Sequence, residues 1–311
     1  MHPTEDGRPP ETKLRADAVL LAVTVVWGSS FVVVRHALDT APPLGLLFWR
    51  FLLAAVVAAG ALFLRRGPRP RRFVRDALVL GSLLALGMSF QVIGQAETTA
   101  SKAAFLTGLA VVLTPFVAVL RTRHLPTIEN GIGITLASIG FFLLTFPSGG
   151  APWQRGDLWV GACGVVFAFY GVELAQRAGR HDTLWLTVVM LGLVTLTAGV
   201  LSLALRSPVL SDLHVAALEA RPIPWRGSFP WSVGYLASFC TLAAFLGWTW
   251  SQGRMSAIHG AIILALEPVV ASLLAAWLLG ERLGKRGIAG AVLVLLGIVV
   301  SEARLSKARP G

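Results

Sequence analysis

The sequence predicts an all-α polytopic membrane protein whose ten transmembrane helices form two inverted five-helix repeats. Three observations carry that prediction. Of 311 residues, 55% are hydrophobic and only 14% charged, whereas soluble domains carry about 25% charged residues, so there is too little polar material to coat a globule. Apolar runs of about 20 residues, the length a helix needs to cross a bilayer, recur along nearly the whole chain. The prolines and glycines that punctuate the first half return at matching places in the second. The short-segment alternation of a membrane β-barrel is absent.

The first run, 16–38, follows a polar, Pro-rich stretch, 1–15, expected to be a flexible tail. It is a full-length span rather than the short core of a cleaved signal. "DTAPP" at 39–43 separates it from 44–64, and "RRGPRPRR" at 65–72 separates that run from 74–95. The turn "ETTAS" leads into 101–121, and Glu97 and Lys102 around it are expected to form an exposed, weak pair. A fifth run, 127–146, ends the first repeat (16–146) at "PSGGAPW". The second repeat, 156–303, holds runs at 156–177, 183–205, 230–250, 256–279 and 285–303, with a tail at 304–311. Its long connection, 206–229, contains "SDLHVAALEA", expected to form a short interfacial helix.

The net charge of +11 suits orientation in a bilayer better than a nucleic-acid partner, because the basic residues lie in short gaps between apolar runs. With both termini in the cytoplasm, the arginines of 65–75 join Arg121 and Arg123 on the inner side, against Arg35 and Lys102 outside, as the positive-inside rule asks. The Arg-rich usage points to a bacterial inner membrane. Cys163 and Cys240 fall inside apolar runs without metal-site or disulfide spacing and read as buried small hydrophobes. No cofactor or metal is expected.

The repeat rests on specific positions. Pro115 answers Pro268, preceded by Thr114 and Glu267, and Gly133 and Gly140 answer Gly290 and Gly297 at the same interval. "VVWGSSFVVVRHA" at 25–37 lines up with "VFAFYGVELAQRA" at 166–178. Five spans per half is an odd number, so the second copy enters the membrane the other way up. Many secondary transporters use that arrangement to open a shared cavity to one side and then the other. The glycines offer smooth faces for close contact, either at the back of the bundle or against a second protomer in a homodimer.

Glu267 is the sharpest single signal. It lies about 16 Å into its run, at roughly 1.5 Å per residue, where a charge costs about 2.5–3.5 kcal/mol. Pro268 beside it removes a donor and frees the carbonyl near Leu264, which is tolerated where other helices or water satisfy it. Acid and kink together suggest a watered cavity wall; the alternative is a protonated acid holding two helices together. In the cavity reading Glu267 is a candidate proton carrier, with His259 passing protons towards it.

Arg50, in "LLFWRFLLAA", could meet a substrate anion or Glu267, or snorkel to the headgroups. Trp27, before the flexible "GSS", is a candidate cavity aromatic. Gln91 and Gln95 share one helix face and could bind substrate or bridge helices. Tyr170 is a further cavity candidate, while Glu173 is expected near the headgroups. Gly28, Pro115 and Pro268 are hinge candidates. Trp248 and Trp250 read as interfacial anchors.

"VVWGSSFVVVRHALDTAPPLGLLFWRFLLAA" (25–55) and "ALEPVVASLLAAWLLGERLGKRGIAGAVLVLLGIVV" (265–300) resemble the opening and closing segments of the EamA family in the drug/metabolite transporter superfamily. The resemblance runs from about 17 to 302 and implies ten helices as two inverted repeats, a central cavity, alternating access, and export as the usual direction. It implies a glutamate after the fourth helix of each half; Glu281 matches, but His124 stands at the first position.

A secondary carrier for a small organic metabolite or drug-like compound is therefore the leading reading, proton-coupled or exchanging, with the bilayer as its other partner. No P-loop, HExxH or GxSxG motif is present, so the sequence offers no ATP site or enzyme motif. The rivals are a receptor-like or structural membrane protein and, behind it, a channel or an intramembrane enzyme.

Overall fold

The computed structural model describes residues 10–65, 73–123, 128–145, 153–279 and 284–302. Most of "RRGPRPRR" and "PSGGAPW", the tail 304–311, and His124, Glu281 and Arg282 lie outside the described residues. Every regular element among the described residues is helical. The first half holds α1 (Pro10–Leu38), α2 (Pro43–Leu64), α3 (Val74–Gln95), α4 (Ala100–Thr122) and α5 (Ile128–Thr145). The second holds α6 (Arg155–Arg177), α7 (Thr183–Leu205), α8 (His214–Glu219), α9 (Phe229–Tyr235), α10 (Ala244–Gln252), α11 (Ala257–Leu264), α12 (Glu267–Leu279) and α13 (Lys285–Glu302). A π-helix, Leu236–Ala243, joins α9 to α10.

Among the described residues, eight helical stretches are long and apolar enough to cross a membrane. The apolar stretch of α5, Gly131–Leu143, is shorter. The outward faces carry Phe63, Phe116, Leu203, Trp231 and Trp277 in the open, a surface suited to lipid rather than water. α1 begins at Pro10, earlier than expected. Proline suits a first helical position, and Glu11 in that turn faces the positive end of the helix dipole.

Helices of the two halves pack on one another: α3 on α6 and α7, α2 on α7, α1 on α10 and α12, and α5 on α13. The glycines make the last pair intimate. A Cβ on Gly140 would stand 2.6 Å from the Gly290 carbonyl oxygen, and one on Gly297 would stand 2.6 Å from that of Gly133. Each helix lends its notch to the other, so these glycine faces meet inside one chain.

The long connection folds onto the bundle through α8, the short helix expected there. The Glu219 carboxylate accepts from the Leu44 and Gly45 amides, at 2.9 and 3.0 Å, and from the Ser202 hydroxyl at 2.6 Å. Its burial pushes the carboxyl above its ordinary range, outweighing those bonds. Glu97 and Lys102 do not pair. Lys102 reaches the buried Asp157 at 2.8 Å, and Glu97 meets His214. The reason is the approach of α6 to the turn after α3: a Cβ on Gly94 would lie 2.6 Å from the Gly156 oxygen. That contact brings a buried carboxylate within reach of the lysine.

Candidate functional site

α1–α4, α6 and α10–α12 enclose a cavity of about 750 Å³, counted with its mouth. It runs from the level of Arg50 to Ala257, the first residue of α11.

The apolar run that ends the second repeat breaks at the cavity. α11 stops at Leu264 and α12 restarts at Glu267. The Leu266 amide reaches back only three residues, to Ile263 at 3.2 Å, and Ala265 divides between Ala261 and Ile262, a tightened turn. Pro268 cannot donate to the Leu264 carbonyl, and Leu264 lines the cavity. Glu267, half-buried, also lines it and makes no hydrogen bond or ion pair with any described residue. Its place in the first turn of α12 is the favourable one for a negative charge.

Arg50 is the counterpart in charge but not in contact. It is 5% exposed, so it does not snorkel, and it does not pair with Glu267. Its Nε donates to Thr241 Oγ1 at 2.6 Å and its Nη2 to the Cys240 carbonyl at 3.2 Å. Both partners belong to the π-helix. Trp27 Nε1 donates to the same Cys240 carbonyl at 2.9 Å. The Trp27 ring stands edge-on to Trp248, with centroids 4.9 Å apart, and 5.3 Å from Phe245. Gln91 donates to Thr107 at 3.2 Å across the cavity wall.

The structure thus gathers Trp27, Arg50, Gln91 and Glu267 around one space. Gln95 is buried away from it. Tyr170 stacks behind Trp248 at 4.9 Å, its hydroxyl 3.6 Å from Met190 sulfur. His259 stands off the lining, where its Nε2 meets Asp17 Oδ1 at 2.9 Å and ties α11 to α1. Of the hinge candidates, Pro268 sits at a break, while α4 continues through Pro115. α1 continues through Gly28, whose missing Cβ makes room for Val270 at 2.6 Å and the Glu267 carbonyl at 3.1 Å.

Trp248 is a cavity wall rather than an interfacial anchor; with Phe245 and Gln252 it forms one lining face of α10, at spacings of three and four that the sequence displays. Trp250 carries the Arg254 guanidinium 4.2 Å over its ring. Glu173 is buried near the end of α6, bound by Arg121 and Arg177. Arg177 also meets Asp76 at 2.6 Å, and Asp76 meets His181 at 2.8 Å. This ion cluster binds α3, α4 and α6 at the end where α3 begins. Asp17 and Thr241 had no signal in the sequence beyond being polar in apolar surroundings.

An apolar helical bundle enclosing a charged cavity between its halves is an integral membrane protein with an internal chamber. The chain belongs to the EamA-like transporter family, whose pattern matches residues 14–146 and again 154–302. It is 28% identical over 295 residues to an uncharacterized transporter of Archaeoglobus fulgidus, covering 94% of this chain and 87% of that one. It is 26% identical over 279 residues to the uncharacterized inner membrane transporter YedA of Escherichia coli K12, covering 86% and 83%. An S-adenosylmethionine/S-adenosylhomocysteine transporter of Chlamydia muridarum is 26% identical over 272 residues, covering 82% and 81%. A solved crystal structure superposes with a TM-score of 0.69 at 19% identity, covering 92% of this chain and 96% of that one. At that identity the likeness shows the fold alone.

Proposed function

We propose that this chain is a secondary carrier that moves a small organic solute across a bacterial inner membrane by alternating access. In this reading ten spans form two inverted repeats, α11 and α12 making one broken span and α9 with α10 another. Both termini lie in the cytoplasm and the direction is export. The observation that carries it is Glu267: an acid with no hydrogen-bond or ion-pair partner among the described residues, at a helix break, facing a chamber walled by both halves. A carboxylate held that way at half-depth is costly, and a site that alternately receives a proton or a solute gives it a use. The family and the names of the relatives favour transport over enzymatic chemistry.

Counterflow tests the proposal. Purified protein is screened by thermal shift against amino acids, nucleosides and organic cations, and a stabilising solute is then loaded unlabelled into proteoliposomes. A carrier accelerates entry of the labelled solute, and Glu267→Gln abolishes the drive from a pH gradient. Flux indifferent to the trans solute would mark a channel, and binding without flux a receptor-like protein.

A further inference from the structure

We propose that Arg50 is the recognition point for an anionic group, carboxylate or phosphate, on the solute, and that loading transfers Arg50 from the π-helix to that group. The inference rests on the carrier reading only in assuming that the cavity receives a solute. Arg50 lines the cavity, is almost wholly buried, and meets no carboxylate among the described residues. A buried guanidinium without a counter-ion is an expensive arrangement. Among the described residues only neutral groups temper it: Thr241 Oγ1, the Cys240 carbonyl, and the face of Phe51 at 5.4 Å. Among the described residues only two of its five N–H donors are engaged, Nε on Thr241 and Nη2 on Cys240, and a planar fork of this kind binds carboxylate or phosphate with two parallel bonds.

What Arg50 holds in the meantime makes the site more than a charge. The Ala244 amide reaches back five residues to Phe239, and the next carbonyl, that of Cys240, accepts from both Arg50 and Trp27. π-bulges in helices recur at functional sites. Phe245 and Trp248, which follow directly, are cavity walls. A solute anion that draws Arg50 off Cys240 and Thr241 removes part of what holds the wide turn, and the aromatic wall repacks around the solute. Recognition and closure are then one event.

Four probes that differ in charge test this: indole-3-propionate, phenyl phosphate, tryptophan and tryptamine. Affinities for purified protein are measured by calorimetry for wild type, Arg50→Gln, Arg50→Lys and Thr241→Val. The expected result is that wild type binds acid-bearing probes, and that Arg50→Gln weakens them at least about tenfold while changing tryptamine less than about twofold, with Arg50→Lys between the two. Carboxylate probes bound without phenyl phosphate, or the reverse, identify the anion. Thr241→Val, which loosens the π-helix but keeps the cation, should retain the acid preference. The proposal is overturned if no acid-bearing probe binds wild type, if Arg50→Gln leaves the preference intact, or if Thr241→Val and Arg50→Gln weaken every probe alike, the signature of a purely structural arginine. Counterflow of whichever probe does bind would still be open to measurement, so the carrier reading can survive this failure.

Discussion

α4 and the pair α11–α12 are equivalent stretches of the two halves, and they treat the same proline differently. α4 runs without interruption from Ala100 to Thr122 through Pro115. The Thr114 hydroxyl beside it folds back onto the Ala110 carbonyl at 2.7 Å, satisfying itself inside its own helix. In the second half the residue before the proline is Glu267, which finds no partner in its helix or elsewhere among the described residues, and the helix parts there. A proline removes one hydrogen bond from a helix; whether the helix bends or breaks depends on what else the turn must accommodate. Here the second half supplies a joint and the first half a continuous strut.

The comparison can be broken in several ways. The largest effect expected is from Glu267→Gln, which should cut exchange at least about a hundredfold, equivalent to roughly 2.7 kcal/mol, while the melting temperature stays equal or rises because a half-buried acid with no partner among the described residues has gone. Counterflow and thermal melts on one preparation check both. Pro268→Ala supplies an amide that can reach the free Leu264 carbonyl and should heal the break. Transport should slow about tenfold as the joint stiffens, against less than about threefold for Pro115→Ala; equal effects would mean the two helices are mechanically alike. Gly140→Ala should destabilise by about 1–3 kcal/mol, because its Cβ would run into the backbone of Gly290 and Val294. Gly192→Ala, with nothing within 4 Å of the new carbon, should gain up to about 1 kcal/mol. Chemical denaturation reads both.

The smallest effect lies away from either proline, at Glu219. Burial raises its carboxyl above the unfolded value, so the folded state holds that proton more tightly. Its contribution to stability is present below the unfolded value and is lost as pH rises through the folded one. The melting temperature should drift down by roughly a few degrees over that window, and Glu219→Gln should flatten the drift without touching exchange.

The break at Glu267 was legible because an acid and a proline inside an apolar run leave few benign explanations. The matched glycines were legible because a missing side chain matters only where something comes close, and here each helix supplies the other. Gln95 and Tyr170 misled for a physical reason. In a helix apolar on every side, periodicity does not separate the cavity face from the packing face, so a polar tip such as the Tyr170 hydroxyl looked like a lining group while it sat against Met190. The partners of Arg50 were out of reach because the π-turn that exposes the Cys240 carbonyl depends on donors from two other helices. Lys102 was assigned the acid nearest in sequence, and the fold offered a buried one from the other half.

The reciprocal fit of α5 and α13 has a consequence for assembly. Residues 133–140 and 290–297 read each other across the join between the halves, each supplying the recess into which the other's backbone settles. A chain severed between Thr145 and Trp153 therefore still carries matching addresses on its two pieces. Co-expressed as separate polypeptides, the fragments should find one another in the bilayer, and a bulkier residue at position 140 or 297 should leave them strangers.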